Sequence, residues 1–273
     1  MVIENRKEVL NYLVSAEHYS LDDLCLLVRV LRAEGGCPWD REQDHHTIRK
    51  DLLEETYEVI EAIDTDNPEL MREELGDLLM QVVFHAQIST EDGQFNMDDV
   101  IHDICVKLIH RHPHVFGSVI AETTDQVLSN WEQIKKNEKH RDTVTGQLKA
   151  VPPMLPALMR AEKIGKKAKM FDFPDTESVF DKLEEETSEV RKALESGKRE
   201  SIDEEIGDLL FTAVSLARKA GTDPEKALYD ATEKFIARFE RLEAEVKKDG
   251  HEVADLTMPE LDAIWDRIKH KTE

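Results

Sequence analysis

Two sets of carboxylates in this chain have the spacing that chemistry at a metal ion requires. An E-x-x-E pair followed by an E-x-x-D pair occurs in the first half, and the second half repeats both pairs. These acids are Glu55, Glu58, Glu74, Asp77, Glu186, Glu189, Glu205 and Asp208. The separations 186 − 55 and 205 − 74 both equal 131 residues. Because a match of both pairs is hard to obtain by chance, we interpret the repeat as a duplicated unit.

The spacing of the acids indicates how they meet. Residues three positions apart on a helix lie on one face, so the members of each pair project together. In each half a short loop, at residues 65–67 or around Gly197, joins the two helices, which should therefore pack antiparallel with their pairs face to face. Unpaired carboxylates inside a bundle are strongly destabilising, so the pattern predicts bound cations. Oxygen ligands, with no histidine in the di-iron register, favour Mg²⁺, with Mn²⁺ as a substitute.

Apolar residues recur at helical spacing along almost the whole chain without the alternation of β-strands, which predicts an all-α protein. Polar residues such as Ser20, Asn67 and Asp223 mark helix starts. The predicted helices span 21–33, 45–64, 68–91, 97–111, 124–139, 154–169, 176–197, 200–220, 224–248 and 258–271. Segment 141–156, which contains Gly146 and two adjacent prolines, is the predicted linker. We therefore predict two tandem domains resembling four-helix bundles, 1–145 and 146–273.

The charge of the chain narrows the classes of partner. Fifty-nine acidic residues against 36 basic residues give a formal net charge of −23. Binding to nucleic acid or to an anionic membrane depends on Lys and Arg, so we expect neither. The N-terminal sequence does not resemble a secretory signal, and no apolar run is long enough to span a membrane. Together with three scattered cysteines, these features are typical of a cytoplasmic protein.

Basic and aromatic side chains accompany the acids in both halves. The basic residues are Lys107 and Arg111 in the first half and Lys234 and Arg238 in the second, four positions apart in each case. They can meet the charge of a phosphate ligand or form ordinary salt bridges. Trp131 and Trp265 also recur, and both base stacking and core packing are open to them. Gly76 and Gly207 lie inside helices, which predicts close packing or room beside the acids.

Longer motifs extend these patterns to a known family. Residues 36–40 read Gly-Cys-Pro-Trp-Asp, and residues 111–117 read Arg-His-Pro-His-Val-Phe-Gly. With the paired acids and the tandem arrangement, the chain resembles the MazG family of nucleoside triphosphate pyrophosphohydrolases over almost its full length. The resemblance implies an all-α fold, a helical homodimer, and Mg²⁺-dependent hydrolysis of an NTP or dNTP to the monophosphate and pyrophosphate.

The resemblance also implies roles for individual residues. It makes the eight acids metal ligands, and Glu189 or Glu58 then serves as the general base that orients the attacking water. The implied nucleotide contacts are Lys234, Arg238 and Trp265 in the second half and Lys107, Arg111 and Trp131 in the first. Two features of the second half depart from the family pattern. Ser201 stands where relatives often carry a lysine, and residues 169–172 replace the Gly-Cys-Pro-Trp opening, so the two sites need not share a substrate.

Two alternatives remain open on the sequence. The first is a non-catalytic helical module whose acidic faces bind a basic protein partner. The second keeps a metal but changes the chemistry, to a di-iron oxidase or a dinucleotide hydrolase. Metal analysis of the purified chain and an assay for pyrophosphate release distinguish these readings.

Overall fold

The computed structural model describes residues 3–138 and 143–270. Within these residues the secondary structure consists of fourteen α-helices and two 3₁₀ turns, with no strand, so the predicted all-α fold is confirmed. Among the described helices, none combines the length and the apolar character needed to cross a bilayer. The chain divides into two compact units between Lys135 and Lys136. The domain boundary at 145, inferred from composition, stays a prediction.

The first unit is built around the helices that carry the acids. Its helices are α1 (Arg6–Ser15), α2 (Leu21–Arg32), α3 (Pro38–Glu42), α4 (Arg49–Asp64), α5 (Pro68–Glu91), α6 (Met97–Arg111), α7 (Pro113–Phe116) and α8 (Thr124–Glu138), the last running across the division between units. The predicted bounds of α5 and α6 match the structure. Their N-caps explain this, since Asn67 accepts hydrogen bonds from two backbone N–H groups of α5 and Asn96 forms a capping box with Asp99.

The start of α4 differs from the prediction. The sequence pattern suggested a helix from residue 45, but α4 begins at Arg49. Residues 44–47 instead form a turn, because Asp44 Oδ1 accepts hydrogen bonds from the backbone N–H groups of His46 and Thr47 at 2.7 and 2.9 Å. The short helices α1, α3 and α7 were not predicted, since none of them is long enough to show a clear apolar period.

The second unit repeats the acid-bearing hairpin. Its helices are α9 (Val144–Lys149), α10 (Ala157–Lys167), α11 (Thr176–Ser196), α12 (Arg199–Lys219), α13 (Pro224–Lys248) and α14 (Met258–His270), with 3₁₀ turns at Lys169–Phe171 and Val253–Asp255. The helix α9, which lies within the predicted linker, was not predicted. Thr143 caps this helix by accepting a hydrogen bond from the N–H of Gly146 at 3.1 Å. Positions 139 and 271, which the predicted helices included, lie outside the described residues.

Separate cores support the two units. In the first, one buried cluster consists of Val28, Ile48, Val83, Phe84 and Ile88, and a second consists of Ile3, Leu13, Val30 and Ala33. In the second unit the cluster Leu242, Val246, Ile264 and Ile268 joins α13 to α14. The first cluster ties the start of α4 to α5 through Ile48, so packing fixes how these two helices meet.

The Gly-Cys-Pro-Trp-Asp segment forms the turn from α2 into α3. A side chain at Gly36 would overlap the carbonyl oxygens of Val30 and Leu31, so only glycine fits there. Arg32 is 9 % exposed and holds the following residues in place, donating to the carbonyl oxygens of Asp40 at 2.6 Å and Gln43 at 3.0 Å. Its guanidinium also pairs with Glu91 at 2.8 Å, which anchors the segment to α5.

Candidate functional site

α4 and α5 bring the first set of acids together. The helices pack against each other across the turn at residues 65–67, where Asp66 has a left-handed backbone with φ 49°. One carboxylate oxygen from each of Glu55, Glu58 and Glu74 lies within 4.8 Å of the others. Asp77 lies outside this group, but its charge acts on Glu55. The hairpin thus collects three of the four predicted ligands and keeps the fourth nearby.

Burial and repulsion change the protonation of this first cluster. The pKa of Glu55 is raised to about 7, mainly by desolvation, and further by a hydrogen bond with Glu58 and by the charges of Asp77, Glu58 and Glu74. Desolvation also raises the pKa of Glu74, with Glu58 as the strongest neighbouring charge. Near neutral pH the cluster therefore retains a proton that a bound cation would displace.

α11 and α12 repeat this arrangement in the second unit. Gly197, with φ 68°, makes the tight turn between the helices, which a residue with a side chain would adopt only with strain. Carboxylate oxygens of Glu186, Glu205 and Asp208 lie within 4.8 Å of one another. Glu189 is not in this group, but its charge acts on Glu205. The pKa of Glu205 is raised first by desolvation and next by the charge of Glu189. Here too, three of the four predicted ligands converge.

A lysine that the sequence analysis missed belongs to the second cluster. Lys182 Nζ lies 2.8 Å from Glu186 Oε1 and 3.0 Å from Glu185 Oε1, and these carboxylates raise the pKa of the lysine. At the offset of the repeat, Asp51 occupies this place in the first half. The spacing Lys182 to Glu186, one turn apart on the acid-bearing helix, was the available signal. The two clusters therefore differ in charge, although their acids match.

The predicted basic contacts lie on α6 and α13, the helices that follow the two hairpins that carry the acids. Lys107 and Lys234 are exposed, and the described part of the chain shows no ion pair between these lysines and either cluster. Arg238 is half-buried, and its Nε is buried without a hydrogen-bond partner among the described residues. Arg111 is 8 % exposed and lies against the ring of Trp131. Among the described residues, neither lysine is therefore joined to the acids by an ion pair.

Both tryptophans pack against protein groups. The guanidinium of Arg111 lies 5.4 Å from the centre of the Trp131 ring, and His112 meets the same ring edge-on with centroids 5.0 Å apart. Trp265 packs on Phe235, with ring centroids 5.2 Å apart, beside the core that joins α13 to α14. Trp265 therefore has a structural role, and a nucleotide contact by either ring stays a prediction.

The side chains of both clusters fit a hard divalent cation. Every member of the two groups of three is a carboxylate, and oxygen donors suit Mg²⁺ and Mn²⁺. Glu186 is 4 % exposed, and its Oε2 is buried without a hydrogen-bond partner among the described residues. A buried acceptor of this kind is costly unless a cation or donor reaches it.

Comparison with known proteins gives the family of this architecture. The model of the MazG nucleotide pyrophosphohydrolase domain matches residues 43–116 and again residues 175–242, which contain the two clusters. The nucleoside triphosphate pyrophosphohydrolase/pyrophosphatase MazG of Thermotoga maritima is 42% identical over 250 residues, covering 91% of this chain and 95% of the relative.

Two further relatives carry similar names. The nucleoside triphosphate pyrophosphohydrolase of Escherichia coli is 41% identical over 254 residues, covering 91% of this chain and 96% of the relative. A protein of the same name from Mycobacterium tuberculosis is 39% identical over 151 residues, covering 53% of this chain and 46% of the relative. With two domain matches and near full-length relatives, this chain belongs to the MazG family of nucleotide pyrophosphohydrolases.

Proposed function

We propose that this chain hydrolyses nucleoside and deoxynucleoside triphosphates to the monophosphate and pyrophosphate, with Mg²⁺ held by its two acid clusters and Mn²⁺ as a substitute. The observation that carries the proposal is the convergence of three carboxylates within 4.8 Å in each half. The names of the full-length relatives support the same activity. Family membership also favours an enzyme over the non-catalytic module that the acidic composition left open.

The proposed reaction is a displacement at the α-phosphorus. A water oxygen forms a bond to this phosphorus, the bond from it to the bridging oxygen breaks, and pyrophosphate leaves with the electron pair. Magnesium bound to the acids would neutralise phosphate oxygens and lower the pKa of a bound water. Glu58 and Glu189 orient the attacking water and accept its proton, because each lies one turn from a clustered acid on the same helix.

Lys182 adds a second source of positive charge in the second half. Its Nζ is held by Glu185 and Glu186 at 3.0 and 2.8 Å. A cation bound to Glu186 would compete for the same carboxylate charge, and Lys182 would then be available to a phosphate oxygen. This lysine lies on α11 rather than at the start of α12, so it offers a basic contact despite Ser201.

We also propose that the chain works as a homodimer. Several apolar side chains beside the clusters are exposed in the single chain, which supports a helical partner on these faces. These are Leu75, Leu79 and Val82 on α5 and Ile206, Leu210 and Phe211 on α12. We keep the predicted contacts to the substrate as proposals. The leaving pyrophosphate would be bound by Lys107, Arg111, Lys234 and Arg238, and the nucleoside would be bound by Trp131 and Trp265.

The roles of the acids are tested by isosteric substitution. Glu58→Gln and Glu189→Gln, alone and together, should lower Mg²⁺-dependent pyrophosphate release, and the double variant should lose it. ³¹P NMR should show monophosphate and pyrophosphate in equal amounts from the unaltered chain. Glu195→Gln, on the exposed part of α11, is the matched control and should keep full activity. Full activity of the double variant, or orthophosphate as the main product, would refute the proposal.

A further inference from the structure

A pair of histidines in the first unit joins the segment before α4 to α5. His45 Nδ1 and His85 Nδ1 are 2.8 Å apart, and the two ring planes are nearly parallel, at an angle of 11°, with centroids separated by 5.1 Å. The other nitrogen of His45 lies 3.3 Å from the hydroxyl of Ser89, which is fully buried. His85 Nε2 is buried without a hydrogen-bond partner among the described residues. The proposed reaction uses none of these groups.

The hydrogen bond between the rings fixes how many protons the pair holds. A bond between two Nδ1 atoms needs one proton, supplied by one ring and accepted by the other. In the uncharged pair, one ring is then protonated at Nδ1 and the other at Nε2. One added proton places a charge on the pair beside the buried His85 Nε2, where none of the described residues accepts a hydrogen bond from it. A second added proton removes the acceptor and breaks the bond between the rings.

The position of the pair connects it to the first acid cluster. His45 lies in the turn that ends at Ile48, and Ile48 is 2 % exposed in the core with Val83 and Phe84. From there α4 runs as one continuous helix to Glu55 and Glu58, while His85 lies on the same helix as Glu74. A change in how the turn meets α5 is thus transmitted along α4 to the acids.

The second half provides a natural comparison because it lacks the pair. At the offset of 131 residues that relates the acids, Leu216 replaces His85 and Ala220 replaces Ser89. The second hairpin therefore has no counterpart of this pair at these positions. The charged and titratable residues around the pair include Asp44, His46, Arg49 and Lys50 before and at the start of α4, Cys25 and Arg32 on α2, and Glu91 on α5.

The two anions among these neighbours also have partners of their own. Asp44 interacts electrostatically with His45 and His46, and its carboxylate accepts hydrogen bonds from the backbone N–H groups of its own turn. Glu91 is engaged by Arg32 at 2.8 Å. The pKa of His85 is accordingly lowered, first by desolvation and then by His45. A lowered pKa in the folded state stabilises the fold above the ordinary pKa of histidine, and this contribution is lost as the pH falls.

We propose that His45 and His85 are positioning residues for the first acid cluster: uncharged, they hold α4 in register with α5, and protonation of the pair weakens metal binding by the first half alone. The part that concerns metal rests on the proposed function. The part that concerns the protons of the pair does not, so each part has its own measurement.

The protons are tested on the unaltered, ¹⁵N-labelled chain by long-range ¹H–¹⁵N NMR without divalent ions. At pH 8 we expect one ring of the pair protonated at Nδ1 and the other at Nε2, with assignments from His45→Gln and His85→Gln. On acidification the pair should gain its first proton at a pH below the ordinary pKa of histidine, because desolvation lowers the pKa of His85. Two rings protonated at Nε2, or protonation at or above that ordinary value, would overturn the proposal.

The link to the acids is tested by Mn²⁺ binding at the first cluster, in a Glu205→Gln background that disables the second. Between pH 7.5 and pH 5.5, the Mn²⁺ affinity of both the parent and His85→Leu should fall. The fall in the parent should be larger by about threefold or more, since each proton that binding must exclude can change the affinity by up to about tenfold per pH unit. His46→Leu, the matched control, should behave as the parent does. An equal fall in His85→Leu and parent would overturn the positioning role. Loss of Mn²⁺ binding in every variant at pH 7.5 would instead refute the proposed metal site.

Discussion

Lys182 and Glu186 form an ion pair across one turn of α11, with Nζ 2.8 Å from Oε1, while Glu186 Oε2 is buried without a hydrogen-bond partner among the described residues. The second cluster therefore neutralises part of its charge before any ion binds. The first cluster has Asp51 at the corresponding place and must lower its charge by holding a proton, as the raised pKa of Glu55 indicates. Two clusters with matching acids thus reduce their negative charge by different routes.

Removing this lysine should destabilise the metal-free chain. Lys182→Met leaves Glu186 buried without its cation, so the free energy of unfolding should fall by about 1–2 kcal/mol. Urea denaturation with a chelator present measures this loss. Mg²⁺ should restore more stability to the variant than to the parent chain, because the ion replaces the missing charge.

The matched control for this prediction is Lys192→Met. Lys192 lies on the same helix, but its side chain is exposed, and no ion pair joins it to the acids among the described residues. This substitution should change the free energy of unfolding by less than about 0.5 kcal/mol. Equal losses in the two variants would show that the pair with Glu186 contributes nothing to stability.

Metal binding at the first cluster should release a proton near neutral pH. The pKa of Glu55 is raised to about 7 in the folded chain, so a bound cation must displace a proton from the cluster at pH 7. Titration calorimetry with Mg²⁺ in two buffers of different ionisation enthalpy should therefore give different apparent enthalpies. Glu55→Gln should remove most of this buffer dependence, and a parent chain without any buffer dependence would contradict the prediction.

The same shift fixes how pH acts on stability. A carboxyl whose folded pKa lies above its unfolded value stabilises the fold at low pH, and this contribution is lost as the pH rises through about 7. In the metal-free chain, Glu55 therefore opposes folding more strongly at pH 8 than at pH 6. The increase in thermal midpoint on adding Mg²⁺ should be larger at pH 8, and a larger increase at pH 6 would contradict this sign.

The glycines beside the acids should show a conflict between stability and activity. A methyl group at Gly76 or Gly207 would meet no atom within 4 Å, so the single chain does not need glycine there for close helix packing. Gly207→Ala should raise the free energy of unfolding by about 0.5–1 kcal/mol, since alanine favours a helix. We expect the space beside Gly207 to serve the bound substrate, so the rate of pyrophosphate release should fall.

Gly165→Ala is the contrasting control for this substitution. A methyl group at Gly165 would lie 3.1 Å from Nε of Arg218, which is paired with Asp172, so this variant should lose stability. Denaturation curves and a pyrophosphate assay on both variants give the comparison. A Gly207→Ala variant that gains stability and keeps full activity would show that the space has no role in catalysis.

Local signals explain which parts of the fold could be predicted. α5, α6 and α13 have capping residues directly before a long apolar period, and their predicted bounds match the structure. The start of α4 was misplaced because Asp44 closes a turn through its side chain, which competes with the helix pattern. The acids could be predicted because two copies carry the same spacing.

The remaining site features depend on contacts that a sequence does not display. Lys182 has the spacing of an ordinary surface salt bridge, and only the burial of Glu186 gives it importance. His45 and His85 are 40 positions apart, and their contact arises because the turn before α4 folds onto α5. The pairing of Arg111 with Trp131 likewise joins two helices. Such tertiary contacts override local patterns.

The turn that leads from α2 to α3 should be intolerant of any side chain at Gly36. Alanine there would overlap the carbonyl oxygens of Val30 and Leu31, which belong to the backbone and have no freedom to move aside. The turn must then shift, and with it the carbonyl of Asp40 that Arg32 holds at 2.6 Å. We expect Gly36→Ala to lower the free energy of unfolding by about 1–3 kcal/mol, as urea denaturation can measure. Gly76→Ala is the control, because a methyl group at Gly76 would meet open space and should not destabilise the chain. Equal stability of the two variants would contradict the steric argument, because only the first position meets backbone atoms.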